Sequence, residues 1–383
     1  MEEKRDWRNY CFRTENAVNG NAVSLLKSGG EAYCAMLEAL RGARKYALLE
    51  FYAFSDDSAG RLFAEAMRAK AAEGVPVYLV YDSVGSIRTD RNFFLELAAA
   101  GVKTAEFMPI SLWRPYRNWI KRDHRKLLCA DGAAFVGGFN ITSDDAPKSL
   151  GGRGWKDVLA ALRGPAVREV ESLFWESWAA SAPVAGDKAP ALLPGRQPPA
   201  GDKPVSVLST SGIRSAHSIR RGYHYAIDAA VDNICITNAY FLPDRLVYRR
   251  LAKAARRGVD VRIITPGETD HPYVRWASWS RYGYMMENGV RIYEWRGPML
   301  HSKAAVIDGV WASVGSHNLD HRSLQYNLEV NLNVYSRAFG AAMTRAFRED
   351  LKNSRPVTLA DVRKRPLAEK AASSLLYFLR HWL

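Results

Sequence analysis

At 383 residues, 48% of them apolar and 25% charged, the chain holds enough material for two ordinary domains, each with its own core. Its 54 Lys and Arg against 40 Asp and Glu leave a formal net charge of +14, which points to a polyanionic partner such as nucleic acid or an anionic membrane surface. No run approaches the roughly 18–20 apolar residues of a spanning helix. Four scattered cysteines (Cys11, Cys34, Cys129, Cys235) argue against a disulfide framework or a zinc site.

The first stretch, "MEEKRDWRNY", is too polar for a signal peptide, and residues 1–18 carry no motif. "KYALLEFYAF" at 45–54 reads as a strand. Residues 61–80, "RLFAEAMRAKAAEGVPVYLV", begin with helical spacing at Leu62, Ala66 and Ala69. They break at Gly74 and resume as the extended run Val75-Pro76-Val77: helix, glycine cap, strand. "FFLELAAAGVKTAEF" repeats that order. Then come "SLWRPYRNWIKR" at 111–122 and "HRKLLCAD" at 124–131.

After residue 204 the series starts again. "NICITNAYFL" at 233–242 is a strand, and 245–264, "RLVYRRLAKAARRGVDVRII", aligns without gaps on 61–80, with its break at Gly258. "YGYMMENGVRIYEW" and "HSKAAVID" at 301–308 follow. The repeated order β-α-β-α-β followed by a hairpin predicts an α/β sheet domain in duplicate. The predicted division is an N-terminal segment 1–18, a first domain 19–180, a Pro/Gly-rich linker 181–204, a second domain 205–360 and a C-terminal segment 361–383. The copies differ in one spacing: Gly101 precedes His124 by 23 residues, whereas Gly289 precedes His301 by 12, so the first copy carries 11 extra residues.

Each doubled segment predicts a hairpin, since an Asp-Gly pair (Asp131-Gly132, Asp308-Gly309) separates two apolar runs. The two aspartates are therefore either turn-formers or part of a reacting group. With the two-residue period of a strand, His124 and Lys126 share a face, as do His301 and Lys303. The return strands end in "GGFN" and "GSHN", which bring Asn140 and Asn318 to the level of the His-Lys pair. An imidazole, an ammonium and an amide together suit a phosphate. Histidine attacks phosphorus when neutral and donates a proton when charged; one imidazole cannot do both in one step, but two copies brought face to face can.

The paired HxKxxxxD with GGxN and GSxN resembles the phospholipase D superfamily, and within it bacterial cardiolipin synthases that lack an N-terminal membrane span. The likeness runs from about Asn19 to about Phe339 and takes in "WKDVLAALRGPAV", "NAYFLPDRL" and "NLEVNLNVY". The resemblance implies two tandem, pseudo-twofold-related domains, each a mixed β-sheet flanked by helices. It implies that His124 attacks the phosphodiester and that His301 protonates the leaving alcohol and deprotonates the incoming one. Lys126, Lys303, Asn140, Asn318 and Ser316 would hold the phosphate, with Asp131 and Asp308 in the same catalytic motif. Asp157 and Glu329 would each orient an imidazole, in an order the sequence leaves open. No metal and no other cofactor is expected.

For the substrate, Trp113, Tyr116 and Trp119 interleave with Arg114, Arg117, Lys121 and Arg122, which suits a bilayer interface or a single-stranded nucleic acid. At the C-terminus, Ala368, Ala371, Ala372, Leu375, Leu376, Leu379, Trp382 and Leu383 share one helical face. Glu369, Lys370, Ser373, Tyr377 and Arg380 share the other, after the basic run 363–365. That pattern reads as an in-plane anchor on an anionic membrane, with docking on the protein's own core as the alternative. The expectation is a peripheral enzyme at the cytoplasmic face of the inner membrane. It would turn two phosphatidylglycerol molecules into cardiolipin and glycerol, without nucleic acid and with its oligomeric state open. The alternatives are a hydrolytic phospholipase D and a nuclease.

Overall fold

The structure, a computed structural model, describes residues 6–110, 121–183, 197–210 and 217–379. The first half contains β1 (Val18–Leu26), α1 (Gly29–Gly42), β2 (Ala47–Phe51), α2 (Ser58–Ala72), β3 (Val77–Asp82), α3 (Arg91–Ala99), β4 (Lys103–Phe107), β5 (Lys126–Ala130), β6 (Ala133–Gly137), β7 (Leu159–Arg163), α4 (Val167–Ala180) and β8 (Ala182–Pro183). The second contains β9 (Lys203–Ser209), α5 (Ser218–Ala229), β10 (Asn233–Asn238), α6 (Arg245–Arg256), β11 (Asp260–Pro266), α7 (Pro272–Glu287), β12 (Arg291–Trp295), β13 (Lys303–Ile307), β14 (Trp311–Gly315), α8 (His321–Gln325), β15 (Val330–Tyr335), α9 (Arg337–Lys352) and β16 (Ser354–Pro356). Two short helices, α10 (Leu359–Lys364) and α11 (Leu367–Phe378), end the described chain.

The same local chemistry builds both halves. Asp57 caps α2 by accepting from the amides of Ala59 and Gly60, and Asp244 caps α6 by accepting from those of Leu246 and Val247. Gly74 and Gly258 follow those helices at φ 82° and 93°, a conformation that costs other residues. Within each half, three strands run parallel (β2, β3, β4 and β10, β11, β12), and the hairpin β5–β6 or β13–β14 adds antiparallel beside β2 or β10. The strand order is β16-β12-β11-β10-β13-β14-β15-β9-β1-β7-β6-β5-β2-β3-β4-β8. It reads the same from either end when each strand is replaced by its counterpart, so a pseudo-twofold axis passes between β1 and β9.

Hairpin strands β5, β6, β13 and β14 are buried throughout. One core cluster packs Leu127, Val136 and Trp175 of the first half with Val306, Val314, Leu332 and Phe347 of the second. Two further clusters lie beneath the outer helices of each half, one with Phe63 and Leu97 and one with Leu251 and Ile263. The halves thus share a core rather than hanging on a flexible tether.

Two details depart from the sequence reading. Segment 181–204 is flanked by regular structure within its own bounds: β8 pairs with the edge strand β4, and β9 begins at Lys203. β8 extends a sheet edge and β9 fills the sheet centre between β15 and β1, long-range pairings that proline and glycine content cannot reveal. Within 1–18, Trp7 packs its ring 5.0 Å from that of Tyr335, and the Tyr10 hydroxyl donates to Asp308 at 2.8 Å. The N-terminal segment therefore belongs to the packing of the second half.

Candidate active site

The two hairpins set their histidines just before the first residue of β5 and of β13. Each histidine is held by backbone bonds from the other half of the chain. The amide of His124 donates to Leu328 O at 2.9 Å, and Leu328 N donates back to Arg122 O at 2.8 Å; the amide of His301 donates to Lys156 O at 2.8 Å, and Lys156 N donates to Met299 O at 2.8 Å. The residue after each of these partners, Glu329 or Asp157, is the acid. In consequence the pairing is crossed: His124 Nδ1 lies 3.0 Å from Glu329 Oε1, and His301 Nδ1 lies 3.0 Å from Asp157 Oδ2.

Both imidazoles line one cavity of about 440 Å³, together with Asn140, Asn318, Tyr52, Trp155 and Arg322. With Nδ1 against an acid, Nε2 is the ring nitrogen each histidine has left for chemistry. Tyr52 stands edge-on to His124 at 5.0 Å and Trp155 stands 5.5 Å from His301, so aromatic walls fix both rings. Burial, reinforced by Lys126 and Lys303, holds both imidazoles well below the ordinary histidine range. Burial also pushes Asp157 up to about 7 and raises Glu329. A phosphodiester entering between the rings adds negative charge and favours the imidazolium form that a proton donor needs.

The lysines lie beneath this floor. Lys126 Nζ donates to His124 O at 2.8 Å, and Lys303 Nζ donates to His301 O. Burial depresses both ammonium groups, Lys126 to about 7. They do not line the cavity, but both lie within electrostatic reach of both imidazoles. Asn140 does line it; its amide is fixed by Ala53 N, which donates to Oδ1 at 3.2 Å, and by Asp145, which accepts from Nδ2 at 3.2 Å.

Three of the residues singled out in the sequence have other work. Asp131 sits at the far turn of its hairpin with φ 45° and accepts from the amides of Arg44, Lys45 and Tyr46. Asp308, at φ 52°, accepts from those of Val231, Asp232 and Asn233. Both are therefore turn-formers that clamp a neighbouring loop, a strand's length away from the histidines, and neither reaches the cavity. Ser316 is fully buried; its hydroxyl donates to Glu329 and accepts from Val330 N at 3.0 Å, so it positions the acid instead of meeting phosphate. Its counterpart is glycine for a steric reason: a Cβ at Gly138 would come within 2.0 Å of Asp157 Oδ2.

Of the basic-aromatic insertion, 111–120 lies outside the described residues. Arg122 is buried in an ion pair with Asp82, Nε to Oδ2 3.1 Å, at the cavity wall rather than on an outer surface. Sequence reasoning missed Asp145, Tyr240, Asp270, His271 and Arg322. Asp145 Oδ1 lies 3.7 Å from His301 Nδ1, and Arg322 lines the cavity. A usable signal was the polar run after each motif, "ITSDD" after GGFN and "LDHRS" after GSHN.

A family model described as "Cardiolipin synthase, PLD-like domain" matches residues 223–351. Cardiolipin synthase 1 of Staphylococcus epidermidis is 31% identical over 370 residues, covering 95% of this chain and 74% of that protein. The major cardiolipin synthase of Bacillus subtilis is 31% identical over 364 residues, covering 94% and 74%. Among solved structures, phosphatidylserine synthase of Haemophilus influenzae shares the fold, with a TM-score of 0.74 and 14% identity over 94% of this chain and 95% of that one.

Proposed function

The chain belongs to the cardiolipin synthase family of the phospholipase D superfamily, and from that premise we propose that it transfers a phosphatidyl group between two phosphatidylglycerol molecules by way of His124. The observation that carries this reading is the pair of crossed His–acid contacts on one cavity. Neutral His124 attacks phosphorus through Nε2. The P–O bond to the glycerol head group breaks, and His301 gives its proton to the departing oxygen. The head-group hydroxyl of a second phosphatidylglycerol then forms a new P–O bond, returns a proton to His301 and releases His124. Asn140, Asn318 and Arg322 face the phosphoryl oxygens, while the two buried lysines stabilise developing charge from below.

Among the described residues no helix is long and apolar enough to cross a membrane. The surface nonetheless suits a lipid interface. Helix α11 docks on α7 with Ser373 and Tyr377, Arg281 lying 3.8 Å over the Tyr377 ring. It turns Leu367, Leu375 and Phe378 outward, and these are 82%, 60% and 74% exposed. Ser373 and Tyr377, from the face that the helical pattern sets opposite the apolar residues, are thus the buried ones. Helix α7 exposes Tyr273, Trp276 and Tyr284 alongside, and Tyr273 also lines the cavity. An aromatic stripe from the site mouth to an outward apolar helix fits peripheral attachment to the anionic, cytoplasmic face of a membrane.

The test is incubation with phosphatidylglycerol vesicles followed by mass analysis of the lipids. Cardiolipin with glycerol is the expected product. Phosphatidic acid with glycerol would make the protein a hydrolase, and unchanged lipid would refute the reading.

A further inference from the structure

The cavity is lopsided in a way the twofold fold does not require. In the first half, the loop at 83–90 that follows β3 gives the cavity only Val84. In the second half, the loop between β11 and α7 gives it Asp270 and His271, joined by Tyr240 and Tyr273. These four side chains form one hydrogen-bonded array. The Tyr240 hydroxyl donates to Asp270 at 2.8 and 2.9 Å, His271 Nε2 lies 3.5 Å from Asp270 Oδ2, and the Tyr273 hydroxyl lies 3.0 Å from His271 Nδ1. The Tyr240 ring bridges two imidazoles, with centroids 5.3 Å from His271 and 6.4 Å from His301. Deeper in the same cavity, Asn318 Oδ1 and Asn327 Oδ1 have no hydrogen-bond partner among the described residues.

We propose that Asp270, His271, Tyr240 and Tyr273 form a polyol subsite that takes the hydroxyl-bearing head group on the His301 side and selects an alcohol acceptor. This rests on the function proposed above. In that scheme the leaving alcohol and the accepting alcohol both visit His301, one receiving its proton and the other returning it. Only the half that carries His301 needs a place for a head group, and among the described residues only that half has such an array at the cavity. The array offers donors and acceptors at once, as adjacent hydroxyl groups require. An ammonium head group fits less well, because the Asp270 carboxylate already accepts from Tyr240 and the Arg322 cation shares the cavity. Once an alcohol is held there, its oxygen bonds to phosphorus, its proton passes to His301 and the P–N bond to His124 breaks. Asp270 and its partners position that oxygen and set the competition with water.

The experiment is head-group exchange: the whole chain is given cardiolipin vesicles with soluble glycerol or propan-1-ol, and KM and kcat are measured for each alcohol. Asp270→Asn is expected to raise the KM for glycerol about tenfold, more than it lowers kcat, and to leave the KM for propan-1-ol in place, because that alcohol lacks the further hydroxyls. On phosphatidylglycerol vesicles the same variant is expected to shift product from cardiolipin toward phosphatidic acid. Tyr240→Phe keeps the ring and removes the hydroxyl, and serves if Asp270→Asn folds poorly. An unchanged KM for glycerol in both variants, or equal rises for the two alcohols, would overturn the subsite. A wild-type protein that exchanges neither alcohol and makes no cardiolipin would overturn the proposed function instead.

Discussion

Glu329, from the second half of the chain, lies 3.0 Å from Nδ1 of His124 in the first, and Asp157 returns the arrangement to His301. Neither half can therefore orient its own imidazole. Glu329→Gln is expected to leave the fold in place and to cut kcat by roughly 10²–10⁴, because the amide no longer fixes the tautomer or supports the imidazolium. Asp157→Asn is expected to act at the other histidine, and its cost is expected to shrink for a phosphodiester with an acidic leaving alcohol, which departs without a proton from His301. Turnover of a p-nitrophenyl phosphodiester beside that of phosphatidylglycerol separates the two; equal losses on both substrates for both variants would refute the crossed assignment.

Gly138 stands where a side chain would collide with the acid that serves His301. Its backbone is not left-handed, so Gly138→Ala carries no conformational strain of its own, yet the new Cβ would meet Asp157 Oδ2 at 2.0 Å. The expected outcome is a fall in kcat of at least tenfold, with a larger fall than for a matching Ser316→Ala change. Steady-state turnover of the two variants, beside their melting temperatures, decides it.

Asp308 is placed to hold structure. It accepts from three successive amides and from the Tyr10 hydroxyl, so Asp308→Ala strands four donors. A loss of about 2–4 kcal/mol is expected from leaving such groups unpaired, read as a lower denaturation midpoint. Specific activity of the folded fraction at low temperature is expected to stay near wild type. A midpoint equal to wild type combined with lost turnover would return Asp308 to the reaction.

Much of this was legible in the sequence because it rests on local chemistry. The doubled helix-glycine-strand pattern gave the repeat, and His124, Lys126, His301 and Lys303 stood at matching offsets with Asn140 and Asn318 behind them. What stayed hidden depends on contacts between distant segments. Nothing near Glu329 in the chain says that it serves His124, 205 residues away. Asp131 and Asp308 share a motif with the reacting groups only because a hairpin's turn and its first residue are a fixed strand length apart. The Ser316 hydroxyl looks like a phosphate donor until Glu329 is placed against it. The subsite around Asp270 comes from a loop that differs in length from its counterpart at 83–90, so the comparison of copies that exposed the histidines passed over it.

The outward face of α11 supplies a test of membrane attachment. Leu375 and Phe378 are 60% and 74% exposed while Ser373 and Tyr377 hold the helix to α7. Leu375→Glu with Phe378→Glu therefore changes the surface and leaves the docking side intact. Binding to anionic liposomes in a flotation assay is expected to fall at least tenfold, with the melting temperature within a few degrees of wild type. Undiminished flotation would count against the interface.

The central claim is that two imidazoles from opposite halves serve one phosphorus, with His124 bonded to it and His301 moving the proton. Its most direct measurement is peptide mapping by mass spectrometry of His301→Ala protein quenched soon after mixing with phosphatidylglycerol vesicles. A phosphatidyl group on the peptide that carries His124, absent when His124 is also changed to alanine, is the predicted result. An adduct on any other residue, or one that persists without His124, would contradict it.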